Sequence, residues 1–148
     1  MNADAVRSAM DAALQCGRTL LANVAYIREE LPNVSLTPKR RAEIEAFCSN
    51  AAKHDMLGEI FDVIELLAAP TPDSAIIRAR VRTVVGWLWS DISTMHALVR
   101  RLKADSQRDP EHDLGWMLVI GAETDVLYAF RRVQIAFDAL AGDSGANK

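Results

Sequence analysis

The sequence predicts an all-α protein, an up-down-up-down antiparallel four-helix bundle forming a single domain over residues 1–148. Three observations predict it. The chain is punctuated three times by a capping residue followed by proline: Thr37-Pro38, Thr71-Pro72 and Asp109-Pro110. Proline is tolerated at the first helical position, where its missing N–H has no intrahelical partner anyway. Between the breaks lie long proline-free segments whose apolar residues recur every three and four positions, as on one face of a helix. Strict alternation of apolar and polar residues, the mark of a half-buried strand, is absent.

The first helix is expected over residues 3–31. Val6, Met10, Ala13, Gly17, Leu20, Val24, Ile27 and Leu31 alternate steps of four and three, a heptad seam. The second, over 38–69, opens with Lys39, Arg40 and Arg41, which are expected to neutralise Glu29 and Glu30 across the first hairpin. Phe47, His54 and Phe61 are seven apart and share a face with Ala51 and Gly58, which makes His54 a core histidine. The third helix, over 72–107, has the stripe Ile77, Val81, Val84, Leu88, Ile92, Met95, Val99 and Leu102. The fourth is expected over 110–141, and the tail 142–148, "GDSGANK", is expected to be flexible. Short connections between long amphipathic helices favour antiparallel neighbours.

Bulk properties narrow the function. A hydrophobic fraction of 50%, a charged fraction of 25% and a mean hydropathy of +0.02 describe a globular chain with a real core. The net charge of -3 argues against a dedicated nucleic-acid binder, which carries a basic excess. No apolar run approaches the ~18 residues of a membrane span. Cys16 and Cys48 are not spaced as C-x-x-C, and the N-terminus has no compact apolar run of a signal peptide, so a reducing cytoplasm is expected. The frequent Ala and Arg point to a bacterial source. Phosphate-binding loops, dinucleotide fingerprints and G-x-S-x-G are absent, as are the Glu-x-x-His pairs of di-iron bundles. Arg108 and His112 leave only three residues between them, too few for the Arg-x(4–6)-His signature of helical HEPN nucleases. No metal or cofactor is expected.

The stretch "GWLWSDISTMH", Gly86 to His96, looks at first like a binding site. At about 100° per residue, Trp87 and Trp89 fall on opposite flanks of Leu88, so the two indoles cannot stack on one ligand. Asp91 and His96 are about 140° apart on the same wheel and form no dyad. Counting through the third hairpin instead brings His96 within about a turn of Glu123, a carboxylate placed among Trp116, Ile120, Leu127 and Phe130. A buried carboxylate needs a partner, so a His96–Glu123 contact is expected. Mid-helix glycines are a second hint, each costing about 1 kcal/mol against alanine. Gly17, Gly58 and Gly86 project to one level near His54, either to admit large side chains or to leave a small-ligand cavity.

The fourth helix is apolar on two sides. Beside its line through Ile120 and Leu127 runs a second, Leu114, Met117, Gly121, Tyr128 and Ile135. A helix of this kind is either central or covered by another chain. The leading expectation is therefore a non-enzymatic interaction module, an adaptor, small regulator or inhibitor-type protein. It would use Leu114, Met117, Tyr128 and Ile135, with Trp87, against a protein partner or a second copy in a homodimer. The alternative is a small-ligand or cofactor-binding bundle with a cavity at His54, Gly58, Gly17, Gly86, His96 and Glu123. A second alternative is an enzyme using His96 and Glu123.

Overall fold

The structure, a computed structural model, describes residues 1–53 and 55–146, the side chains of 52, 53 and 142–146 excepted. His54 lies outside the described residues. The protein is an all-α bundle of α1 (Ala3–Glu30), α2 (Pro38–Lys53), α3 (Met56–Leu67), α4 (Ser74–Arg108) and α5 (Asp113–Ala146). Short 3-10 turns, Leu31–Asn33 and Pro110–His112, finish the first and third connections. In place of one second helix, α2 and α3 together form the second leg. Among the described residues α1 packs against α5 and that leg, and α4 does the same from the opposite corner, which makes a four-sided up-down-up-down arrangement.

Local chemistry sets the ends. The Thr37 hydroxyl accepts from the Arg40 N–H at 3.3 Å, with Pro38 at the first helical position, as expected. The α4 start differs from the expectation at Thr71. Asp73 is the cap, its carboxylate accepting from the Ala75 and Ile76 N–H groups at 3.0 and 3.3 Å, and Pro72 precedes it. Asp109 caps the turn before α5 through the Glu111 N–H. The end of α5 also differs, because the helix continues to Ala146, past the expected end at 141. Glycine weakens a helix but, unlike proline, keeps its N–H and does not stop it.

The division of the second leg was not expected, since no proline marks it. Asp55 caps α3, its Oδ1 accepting from the Gly58 N–H at 3.0 Å, a role aspartate fills better than a helix interior. The break resets the helical phase. Phe47 and Ala51 of α2 are buried, but the buried face of α3 is Met56, Ile60, Val63 and Leu67, and Phe61 is turned outward beneath the Arg18 guanidinium.

One continuous core unites the legs. All eight residues of the α1 seam are buried, as are those of the α4 stripe except the half-buried Ile92. In α5 the buried seam is Gly115, Val119, Ala122, Val126, Ala129, Val133, Ala136 and Leu140, a 4-3 repeat of small residues. Trp116, Ile120 and Phe130, expected on the core face, are half-buried beside it. Among the described residues, no helix is long and apolar enough to cross a membrane.

Candidate functional site

The expected lines on α5 resolve into three faces at about 100° per residue. The small-residue seam points into the bundle. The large residues Trp116, Phe130 and Phe137 flank it on the α4 side. Opposite lies the outer line, where Leu114 is 57%, Met117 54%, Tyr128 52% and Ile135 49% exposed. Four bulky apolar residues on one helix line, each about half open, cover a span of about 32 Å at 1.5 Å per residue.

Beside this line α1 contributes Tyr26, 54% exposed, which sequence reasoning did not place here. Its signal was available, an aromatic lying off the α1 seam between Val24 and Ile27. Tyr26, Glu30, Val34, Leu114, Met117 and Leu118 line a groove of about 320 Å³ between the end of α1 and the start of α5. Farther along the same helix pair, Asn23 Nδ2 donates to Asp125 Oδ2, joining α1 to α5. Gly121 is exposed on the outer line. A Cβ there would meet only Asn23 Nδ2 at 3.6 Å, an ordinary contact, so the bundle itself does not demand a glycine.

Trp87 does not join this face. It is half-buried against the core, on the α4 flank that carries Arg80 one heptad earlier. The Arg80 guanidinium pairs with Glu59 and Asp62 of α3 at 3.3 and 3.4 Å, so that flank faces α3 and not α5. Trp89, on the other flank, is 60% exposed and packs against Phe130.

His96 and Glu123 do meet across α4 and α5, with Nδ1 3.8 Å from Oε1. They form one rung of a ladder in which both helices step by seven. Arg82 lies over the Phe137 ring at 5.9 Å, and Trp89 sits 5.6 Å from Phe130 with the planes 44° apart. Then come His96–Glu123 and Lys103 over Trp116 at 5.2 Å. Antiparallel helices with heptad spacing repeat the same lateral contact every two turns, which explains the four matched rungs. His96 is 61% exposed, and Glu123 is 26% exposed with Oε2 buried and lacking a hydrogen-bond partner.

The three glycines expected at one level meet different surroundings. A Cβ on Gly17 would lie 2.8 Å from Met56 Cε and 2.9 Å from Leu57 Cδ2, so the head of α3 fills that space. A Cβ on Gly58 would overlap the capping Asp55 carboxylate. Gly86 is exposed, with nothing within 4 Å of its would-be Cβ. Cys16 and Cys48 are free thiols. Burial pushes both thiols up, against Arg132 near Cys16 and Arg28 near Cys48, which disfavours the reactive thiolate. Among the described residues, no group of three or more His, Cys, Asp and Glu side chains could hold a metal ion.

A separate polar cluster clamps α2 to α4. Arg40 Nε donates to Asp105 Oδ2 at 2.7 Å and its NH1 to Glu43 Oε1 at 2.9 Å. Arg101 donates to Glu43 Oε2 through NH2 at 2.6 Å and Nε at 2.9 Å. Hydrogen bonding from Arg40 holds the Asp105 carboxyl below its usual range against the opposing effect of burial. For Glu43, burial pushes the carboxyl up, but Arg101 and Arg40 together outweigh it and the net shift is downward. Arg41 donates to the Leu31 carbonyl and, at 2.8 Å, to the Val34 carbonyl. Arg40 and Arg41 thus tie down α4 and the first connection, whereas the sequence suggested Glu29 and Glu30 as their targets.

Compared with known proteins, the chain matches no family model, no curated protein and no solved structure.

Proposed function

We propose that this protein is a non-enzymatic interaction module of the cytoplasm whose outer α5 face docks another protein chain. One observation supports the reading above all: Leu114, Met117, Tyr128 and Ile135 stand about half exposed in a row on a helix whose opposite side already fills the core. Contiguous exposed apolar surface is uncommon on a monomer and marks contact sites. Aromatic and methionine side chains, both present here, are enriched in the centres of such contacts. The free thiols are in keeping with a reducing compartment.

The experiment compares purified wild type with Tyr128→Glu, both checked for unchanged helical circular dichroism. Immobilised wild type retains a partner chain, its own or another, at least tenfold better than the variant. Equal retention by both proteins would remove the α5 face from consideration. A second reading, acid–base chemistry at His96 and Glu123, keeps one observation in its favour, the buried Glu123 Oε2 without a hydrogen-bond partner.

A further inference from the structure

The outer face of α5 contains both halves of a contact. At its N-terminal end is the groove lined by Tyr26, Glu30, Val34, Leu114, Met117 and Leu118. Farther along the same line, Tyr128 protrudes, 52% exposed. Asp113 opens the helix, and the exposed Arg131 and Arg132 lie toward its other end. A surface that bears a knob and a hole, with opposite charges beyond each, is complementary to itself when turned through a two-fold axis.

Resting on the interaction reading above, we propose that the occupant of this face is a second copy of the chain. Two α5 helices pack antiparallel about an axis level with residues 122 and 123. In that register Tyr128 of each copy is level with Met117 of the other and enters the hole between positions 114, 117, 118 and 121. Its ring extends toward the groove, where Glu30 at the rim accepts from the phenol O–H. Arg131 and Arg132 come level with Leu114 and Asp113 of the other copy, so each guanidinium pair faces a carboxylate at the head of a helix.

Two further observations favour self-association over a foreign partner. Gly121, which the bundle does not need as glycine, occupies the side of the hole where an indented surface admits the Tyr128 ring. The available area also suits a dimer. The α1–α5 face is about 32 Å long and, with two helices about 10 Å apart, on the order of 600 Å² in footprint, near the ~800 Å² per partner of a stable complex.

Sedimentation velocity and light scattering of the full chain test the proposal. Wild type is expected to be a dimer at micromolar concentration, and Tyr128→Glu and Leu114→Glu each a folded monomer of half that mass. Differently tagged Met117→Cys and Tyr128→Cys chains test the register. Oxidising their mixture links the two tags, whereas each variant alone links poorly because its like positions lie about 16 Å apart along the helix. A monomeric wild type overturns the proposal, as does a dimer indifferent to Tyr128→Glu or a mixture that crosslinks no better than its components. A monomeric wild type that still retains another protein through Tyr128 overturns self-association alone. A monomer that retains nothing overturns the interaction reading as well.

Discussion

α1 and α5 are neighbours in the bundle, 28 and 34 residues long, and both place a strict 4-3 seam against the core. They fill it differently. The α1 seam holds Met10, Leu20, Ile27 and Leu31 among its eight buried residues, while the α5 seam holds only Gly, Ala and Val until Leu140. The bulky apolar residues of α5 stand on its α4 flank and its outer line. A seam of small residues lets neighbouring helices approach closely and receive side chains from the facing ridges. It also leaves the large side chains of α5 free for other tasks, lateral contact with α4 and an exposed face.

Substitutions should expose this difference first and most strongly. Ile27→Ala in α1 removes a fully buried side chain and is expected to cost about 2–5 kcal/mol in urea unfolding, through lost transfer energy and the cavity left behind. In α5 the damaging change is the reverse one. Ala129→Leu adds volume to a filled site and is expected to cost about 1–3 kcal/mol through strain. If Ala129→Leu proved neutral, α5 would be loosely seated and the contrast between the helices would fail.

The same contrast explains what could be read from the chain. The α1 seam and α4 stripe were legible because large apolar residues lie on the buried face, where hydropathy and burial agree. The α5 seam was not, because Ala and Val give a weak signal beside Trp116, Ile120 and Phe130 on the flank. The split at Asp55 was hidden for a different reason. A capping aspartate without proline looks like any polar residue on an exposed helix face, and the phase shift it introduces moves Phe61 from the expected core to the surface. The His96–Glu123 contact was legible because it depends only on hairpin register, which the short third connection sets. The outer line of α5 was visible in the sequence, but Tyr26 beside it depends on how α1 and α5 pair.

Of intermediate size is the clamp between α2 and α4, which ties the start of the second leg to the last turns of α4 at the same end of the bundle by paired charges. Asp105 and Glu43 are both held below the usual carboxyl range. A depressed folded-state pKa contributes stability that is complete above the unfolded value of about 4 and is lost as pH falls through the lower folded value. Wild-type stability is therefore expected to drop below about pH 4. Asp105→Asn should cost about 1.5–3 kcal/mol at neutral pH, the range for a hydrogen bond to a charged group, and should flatten the acid limb of the profile. An unchanged acid limb in this variant would mean that the carboxylate is not titrating against Arg40.

The smallest effects separate two glycines that look alike in the sequence, each in the interior of a predicted helix. Gly86 sits on the exposed side of α4 with open space where a Cβ would go, so Gly86→Ala is expected to gain about 0.5–1 kcal/mol. For a chain of this length that is about 2–4 °C in the melting temperature per kcal/mol. Gly58 is the third residue of α3, and a Cβ there would displace the Asp55 carboxylate from the N–H that it caps. Loss of a cap costs about 1 kcal/mol, which offsets the propensity gain, so Gly58→Ala should raise the melting temperature little or lower it. A Gly58→Ala variant as stabilised as Gly86→Ala would mean that the cap does not hold the break. The second leg would then straighten, withdrawing Met56 and Leu57 from Gly17, and the small-residue layer expected from the sequence would regain its space.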